Sequence, residues 1–562
     1  MRLSKLAMCV IAGMICFAGA PLSLAADAPD NATCLSCHGN EGFSIPGADG
    51  TTRQLHVPGA KFEKSVHGQL PCVMCHQDIK AVPHPETLQK VDCGTCHGAQ
   101  KAEYLASVHG QEAIGKGNPK AATCTSCHTA HEIASPKTGA VKLAITKTCG
   151  GCHAENLKSY ADTYHGQINA LGYSYTAKCF DCHGSHGIQR VKDPKSTVHP
   201  DNRLQTCQKC HANASPGFAT FQPHGNAHDF NRYPQIWIAS KFMIGLLAGT
   251  FAFFWLHAAL WFYREYKERQ ERKNRPHVKT EQLLQGKEGK HYRRFSLTWR
   301  IAHLTFAVSL MILTLTGMTL FYAESAWAPI VVKAFGGPQV TGMVHRVCAV
   351  IFAFVFFAHL VYVALRLARD WRNFRIFGPN SLIPNWQDLW DIIAMFKWFL
   401  GFGPRPVFDR WTYWEKFDYW APFWGVTIIG VSGFMLWFPN LTATLLPGWA
   451  FNVAAIAHGE EAFLAAVFLF TVHFFNNHFR PDKFPLDIVM FTGTVPLEDF
   501  KRDHTVEFNR LVASGKLDDY LVDAPSQPMT RGSKILGFSL IFAGLTLLTL
   551  VLIGFAGNML RG

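Results

Sequence analysis

The sequence predicts a mostly α-helical chain in two parts. Seven C-x-x-C-H motifs lie within the first 211 residues, and six long apolar stretches follow residue 235. Between the motifs, glycine and proline interrupt any sustained helix or strand period. Together these observations predict a loop-rich multihaem c domain packed around its haems, followed by an integral-membrane helical bundle of about six transmembrane helices.

Composition agrees with that division. The chain has 562 residues, 48% of them hydrophobic and only 17% charged, a balance that points to a membrane-embedded part. The formal net charge is +13. The basic residues cluster between apolar stretches, which is the pattern of membrane topology, so no nucleic acid is expected as a partner.

Cysteine usage is lopsided. Of 17 cysteines, Cys9 and Cys16 stand near the start and Cys348 in an apolar stretch, where it reads as a small core residue; the other fourteen fall between Cys34 and Cys210. Residues 1–25 have the form of an export signal: Arg2 and Lys5, then "LAMCVIAGMICFAGA", then the small-residue site "SLAAD". Cys9 and Cys16 are expected to leave with it, and the fourteen others to mature outside the cytoplasm.

Those fourteen make seven motifs with none left over: Cys34, Cys37 and His38; Cys72, Cys75 and His76; Cys93, Cys96 and His97; Cys124, Cys127 and His128; Cys149, Cys152 and His153; Cys179, Cys182 and His183; Cys207, Cys210 and His211. The spacing lets two thioethers hold a porphyrin edge while the adjoining histidine ligates iron from one face. Zinc ribbons and disulfide scaffolds do not require a histidine after every second cysteine.

The motifs recur in a module: H-G, C-x-x-C-H, a histidine, then a second C-x-x-C-H. Three copies begin at His67, His109 and His165, and the second and third are offset by 55 to 58 residues. The motif ending at His38 precedes them and "PHG", with His224, follows. The H-G histidines (His67, His109, His165, His224) and the in-module histidines (His84, His131, His186) number seven, one sixth ligand for each haem. Bis-histidine iron has no open position, so the expected role is electron carriage rather than substrate chemistry. His56, His199 and His228 lie outside the pattern and read as ordinary loop residues. Spacing does not say which distal histidine serves which motif.

The apolar stretches run roughly over 236–263, 297–322, 343–366, 416–438, 451–478 and 535–558. Export of the first part places the start of the first stretch outside, and "REYKERQERKNR" then marks the cytoplasmic flank. "NWQDLWDIIAMFKWFLGFG" is amphipathic and is expected along the inner surface. Ionisable groups inside a bilayer are costly and usually functional. His345 and His458 start their spans on the outer side, whereas His303, His359 and His473 lie deeper toward the inner side. His345 and His359, like His458 and His473, stand about 20 Å apart along one helix. That spacing suits two b-type haems, the outer held by His345 and His458, the inner by two of His303, His359 and His473. His257 reads as interfacial.

"FSLTWRIAHLTFAVSLMILTLTGMTLFY", "VHRVCAVIFAFVFFAHLVYV" and "HGEEAFLAAVFLFTVHFFNNHFRP" resemble the di-haem cytochrome b subunit of formate dehydrogenases and related quinone-linked enzymes, over roughly residues 290 to 510. The resemblance implies His303 with His473 and His345 with His458. It also implies a quinone site beside the inner haem, near His473, with His478 and Asp418 as proton partners. A rival site on the outer side would use Glu460 and Glu461. The whole chain resembles the fused cytochrome b and multihaem cytochrome c quinol dehydrogenases of metal-reducing bacteria, which implies menaquinol as donor.

The expected organisation is a signal peptide at 1–25, a periplasmic heptahaem domain at 26–234 and a connecting helix at 235–264. A di-haem cytochrome b domain at 290–480, a cytoplasmic segment at 481–532 and a C-terminal transmembrane helix at 535–558 complete it. The expected function is a quinol:cytochrome c oxidoreductase of the bacterial inner membrane. It would pass electrons from the quinone pool through two b haems and seven c haems to periplasmic c-type cytochromes; a homo-oligomer is compatible with this. Two alternatives keep the same parts: a quinone reductase fed by a periplasmic formate dehydrogenase or hydrogenase, and a non-catalytic relay subunit. A terminal multihaem reductase would need an open iron, which seven histidine-ended motifs disfavour.

Overall fold

The computed structural model describes residues 29–47, 51–273 and 286–561. The expected signal peptide, with Cys9 and Cys16, lies outside the described residues, as does the end of the basic flank beyond Lys273. The chain divides into two compact units, one formed by residues up to Cys149 with His183–Ser196, the other by Gly150–Cys182 with Thr197 onward.

The first unit is built from short pieces. Helices Asn31–His38, Cys72–Cys75, Gly98–Ala106 and Cys124–His128 are joined by loops, and one antiparallel ribbon pairs β1 (Ser44–Pro46) with β2 (Thr52–Gln54). These four helices contain, end on or directly follow C-x-x-C-H motifs. Among its described residues no apolar side chain is buried; the buried side chains are polar, Ser107 and Thr146 among them. A unit of this size cannot offset its chain entropy by side-chain burial alone.

The second unit contains six helices long and apolar enough to cross a membrane. They are α1 (Pro234–Lys273), α2 (Leu297–Phe321), α3 (Pro338–Arg369), α4 (Tyr413–Trp437), α5 (Trp449–Phe468) and α6 (Gln527–Arg561). α5 continues through two π-helical turns, Leu469–His473 and Phe475–Phe479. α2 packs along α3 and α4 along α5, and α5 also meets α1, α2 and α6. The predicted spans are all present. α1 runs past its apolar stretch because Arg, Glu and Lys are good helix formers. Met318, Tyr322, Phe463, Val467 and Val551 form one buried cluster between α2, α5 and α6. Glycine permits that approach: a Cβ on Gly554 would stand 2.5 Å from the Tyr322 ring.

The amphipathic stretch is a helix, Trp386–Phe399, with a capping box at Asn385. It buries Met395, Trp398 and Phe399 against Trp261 of α1. The segment after α5 and the strand just before α2 together form a small cap, in which β3 (His291–Arg293), β4 (Thr494–Pro496) and β5 (Leu521–Val522) pair in the order β4-β3-β5. Under it, Glu507 is 1% exposed. Its carboxylate accepts from Arg410 at 2.8 Å and from the Tyr292 hydroxyl at 3.2 Å, and lies 3.6 Å from Arg294.

Glu507→Ala should therefore be among the most destabilising changes in the cap, because it takes the buried counter-charge from Arg410 and leaves Arg294 with Glu415 alone. The expected loss is about 3 kcal/mol, read as a fall in the unfolding temperature of the detergent-solubilised protein. An unchanged transition would show the cluster to be dispensable.

Candidate haem sites

The geometry of the H-G turns explains why His67, His109 and His165 are each followed by glycine. A Cβ on Gly110 would stand 2.0 Å from the Tyr104 carbonyl oxygen; on Gly166, 2.1 Å from that of Tyr160; on Gly68, 2.3 Å from that of Glu63. Only a residue without a side chain lets the turn fold back onto the preceding helix. A hydroxyl two residues before each histidine fixes the turn: Ser107 Oγ accepts from Gly110 N at 3.1 Å, and Thr163 Oγ1 from Gly166 N at 3.2 Å. In the first copy Ser65 Oγ accepts from His67 N at 3.2 Å. Tyrosine ties the same elements together, Tyr104 donating to the Ala122 carbonyl and Tyr160 to that of Ala177.

The first unit brings four pairs of predicted ligands ring to ring. The centroid separations are 6.0 Å for His38 and His84, 5.9 Å for His67 and His97, 6.3 Å for His76 and His131, and 6.1 Å for His128 and His186. Two imidazoles holding a metal between them at about 2 Å per bond place their centres about 6 Å apart. Each pair joins the histidine of a C-x-x-C-H motif to one predicted distal histidine. A register emerges that spacing did not reveal. His67 pairs with the second motif of its own copy. The in-module histidines reach back to the first motif of the preceding copy, or, for His84, to the solitary first motif.

Protonation suits ligation. His38 Nδ1 lies 2.8 Å from the Leu55 carbonyl oxygen and His84 Nδ1 2.8 Å from that of Pro85. Donation from Nδ1 leaves Nε2 free for iron. Burial lowers the affinity of His76, His128 and His131 for a proton, keeping them in the neutral, metal-binding form. The absence of a side-chain interior, the opposed imidazoles and the cysteine pairs at thioether spacing all fit covalently held haem. The described residues contain no disulfide and no cluster of three or more His, Cys, Asp or Glu suited to a bare metal ion.

The second unit carries a fifth such pair, His165 and His211, at 6.2 Å. Burial pushes His165 down to about 4. His211 meets Phe218 at 4.9 Å, and Phe218 meets Phe451 of α5 at 5.8 Å. The backbone holds this junction: Asn452 and Gln222 exchange two hydrogen bonds, and Gly448 N donates to Thr220 Oγ1 at 2.6 Å. A Cβ on Gly448 would stand 2.1 Å from Phe221 N. Of the remaining predicted ligands, His109 sits in the turn Val108–Gly110, His153 precedes helix Ala154–Ala161, and His183 closes Cys179–His183. His224 Nδ1 lies 3.0 Å from Ser159 Oγ. His199 caps helix Pro200–Gln208, in keeping with a structural reading.

Two pairs lie among the long helices: His345 with His458 at 6.3 Å, and His303 with His473 at 6.4 Å. Similar clasps hold the first pair. Thr316 Oγ1 is 2.9 Å from His345 Nδ1, and a Cβ on Gly317 would stand 3.1 Å from its Cε1. Ser432 Oγ is 3.2 Å from His458 Nδ1, and a Cβ on Gly433 would stand 3.0 Å from its Cε1. The dipeptides Thr-Gly on α2 and Ser-Gly on α4 thus orient each imidazole and make room for it, a signal present in the sequence but not read from it. His473 Nδ1 is held instead by Asp418 Oδ2 at 3.2 Å.

His359, the extra inner candidate, turns away from that pairing. Its Nε2 lies 2.9 Å from the Tyr419 hydroxyl, and its ring packs edge-on to Trp299. His257 is buried, with Nε2 2.5 Å from the Tyr413 hydroxyl. Asp418 is joined to His473 as above, while His478 packs on Phe474 and its Nδ1 has no hydrogen-bond partner among the described residues. Glu461 is buried beside Gly425 of α4, and Glu460 is half-buried.

His131→Ala tests the register. The variant should keep all its covalent haem, since the thioethers are untouched, and gain a high-spin ferric signal in electron paramagnetic resonance. An unchanged spectrum would dissociate His131 from the centre at His76.

Two family models match the chain. Residues 60–129 match cytochrome c7 and related cytochromes c, and residues 118–158 match the doubled CXXCH motif. No curated protein and no solved structure matches it. The N-terminal part is therefore a cytochrome c7-like multihaem c-type region with paired C-x-x-C-H motifs, an electron-transfer module carried on a chain that continues into six apolar helices.

Proposed function

We propose that the chain is a quinol dehydrogenase of the bacterial inner membrane. It takes electrons from menaquinol and passes them through two b-type and seven c-type haems to a soluble periplasmic cytochrome. The observation that carries this reading is the continuity within the second unit between the pair His345–His458 and the pair His165–His211. Phe451 precedes His458 by seven residues on α5, about 10 Å along nearly the same helix face. Phe451 touches Phe218, and Phe218 touches His211.

Haem supplies a one-electron centre whose potential is set by its axial ligands, their hydrogen bonds and burial. The chain's own residues do the rest. Thr316, Ser432 and Asp418 fix the ring orientation and proton position of His345, His458 and His473. Gly317 and Gly433 admit the rings. Phe451 and Phe218 pack α5 against the segment bearing His211, so that charge leaves the helices at one defined point.

Two measurements test it. Anoxic mixing of the oxidised protein with a menaquinol analogue should reduce the b-type absorption bands and then the c-type bands. Protein whose bands respond to dithionite but to no hydroquinone would be a relay docked to a separate quinone enzyme. Gly433→Leu should displace His458. Solvent-extractable haem should then fall from two per chain to one with all seven covalent haems retained, and hydroquinone should no longer reduce the c bands. Undiminished c reduction with one extractable haem would remove the outer pair from the route.

A further inference from the structure

α5 carries a buried carboxylate that the electron path proposed above does not use. Glu461 is 3% exposed, and its Oε2 has no hydrogen-bond partner among the described residues. The side chain lies against α4: a Cβ on Gly425 would stand 3.6 Å from Oε1, and the Trp424 indole is beside it. That contact fixes its depth. Gly433, which admits the ring of His458, is eight residues beyond Gly425 on α4, and Asp418, which holds His473, is seven residues before it. At 1.5 Å per residue those steps are about 12 Å and about 10 Å. The carboxylate therefore stands between the levels of the two imidazole pairs, about two turns of α4 from each.

No neighbouring helix supplies its counter-charge. α1, α2, α4 and α6 all pack on α5. Residues 242–256 of α1, 304–321 of α2, 420–437 of α4 and 535–560 of α6 include no acid, base, cysteine or tyrosine. The groups that flank those stretches are Lys241 and His257 on α1, His303 and Tyr322 at the ends of α2, Tyr419 on α4 and Lys534 on α6. On α5 itself they are Glu460 and the ligand candidates His458 and His473. An ionised carboxylate in so apolar a setting is costly unless a positive charge faces it. Ferric haem between two neutral imidazoles carries one net positive charge, and ferrous haem carries none.

We infer that Glu461 is a redox-linked proton site, taking up one proton as an electron enters the b-haem pair and releasing it as the electron leaves. The inference rests on the reading that His303, His345, His458 and His473 hold two b-type haems. The step balances. Iron gains the electron and passes from ferric to ferrous, while the carboxylate gains a proton drawn from water and becomes the neutral acid. Both changes reverse together, so nothing is consumed. The charge within the apolar bundle stays nearly constant, which lowers the cost of placing an electron there. A purely structural Glu461 would stay protonated in both redox states.

Potentiometric titration of the full-length haem-loaded protein, following the b-type and c-type bands separately, decides between these. In the parent, at least one b-type midpoint potential should fall as pH rises. Its limiting slope should be about 59 mV per unit, the value for a tenfold change in proton activity at a one-electron centre. In Glu461→Gln that potential should stay near the parent's acid-side value at every pH, because a neutral side chain replaces the carboxylate. Glu461→Asp should restore the slope. A slope that survives in Glu461→Gln would assign the proton to a haem propionate and overturn the inference, as would b-type potentials of the parent that ignore pH. Should Glu461→Gln fail to assemble, redox-difference infrared spectra of the parent and Glu461→Asp decide. A carboxylic-acid band that grows on reduction and moves between the two supports the inference; a band that does not move, or none, overturns it. Protein that yields no extractable haem would overturn the b-haem reading, and this inference with it.

Discussion

A histidine can serve iron only through one neutral ring nitrogen, so something else must hold the other. That requirement shapes both units. In the loop-rich unit the holders are backbone carbonyls, Leu55 for His38 and Pro85 for His84, because loops leave carbonyls unspent. Inside apolar helices the carbonyls are engaged in the helix itself. There a neighbouring helix supplies a side chain, Thr316 to His345, Ser432 to His458 and Asp418 to His473, and His458 Nδ1 also reaches the Ile429 carbonyl at 3.0 Å, beside the hydroxyl of Ser432. A carboxylate makes the imidazole it holds more basic than a hydroxyl does. The pairs His345–His458 and His303–His473 therefore differ in the group that holds them, and in the function proposed here that difference would give the electron path its slope.

Much of this was legible in the sequence. The C-x-x-C-H motifs, the H-G turns and the six apolar stretches are local signals, and local chemistry fixes them: thioether spacing, a glycine that must lack Cβ, and enough apolar residues to span a bilayer. The hydroxyls at Ser65, Ser107 and Thr163 were equally visible as a residue type two places before each histidine. The ring register was not, because it depends on which copy folds back on which. His131 lies closer in sequence to His128 than to His76, yet it is His76 that it faces.

The histidines on the long helices separate in a way that hydropathy does not anticipate. His303, His345, His458 and His473 face one another, whereas His359 and His257 each face a tyrosine, Tyr419 and Tyr413. Depth along the helix is the same kind of number for all six. The partner on the facing helix distinguishes them, and that information resides in packing between α1, α3 and α4. The π-helical turns that carry His473 and His478 are likewise invisible in a pattern built on 3.6 residues per turn.

The first unit has no apolar side chain in its interior among the residues described. Its collapse therefore cannot precede porphyrin attachment, and the unmodified chain behaves as an extended substrate for the attaching machinery and for proteases alike. Which of the two reaches it first sets the yield of mature protein. A missing cysteine in one motif would then be felt less as a weakened carrier than as a shorter-lived polypeptide.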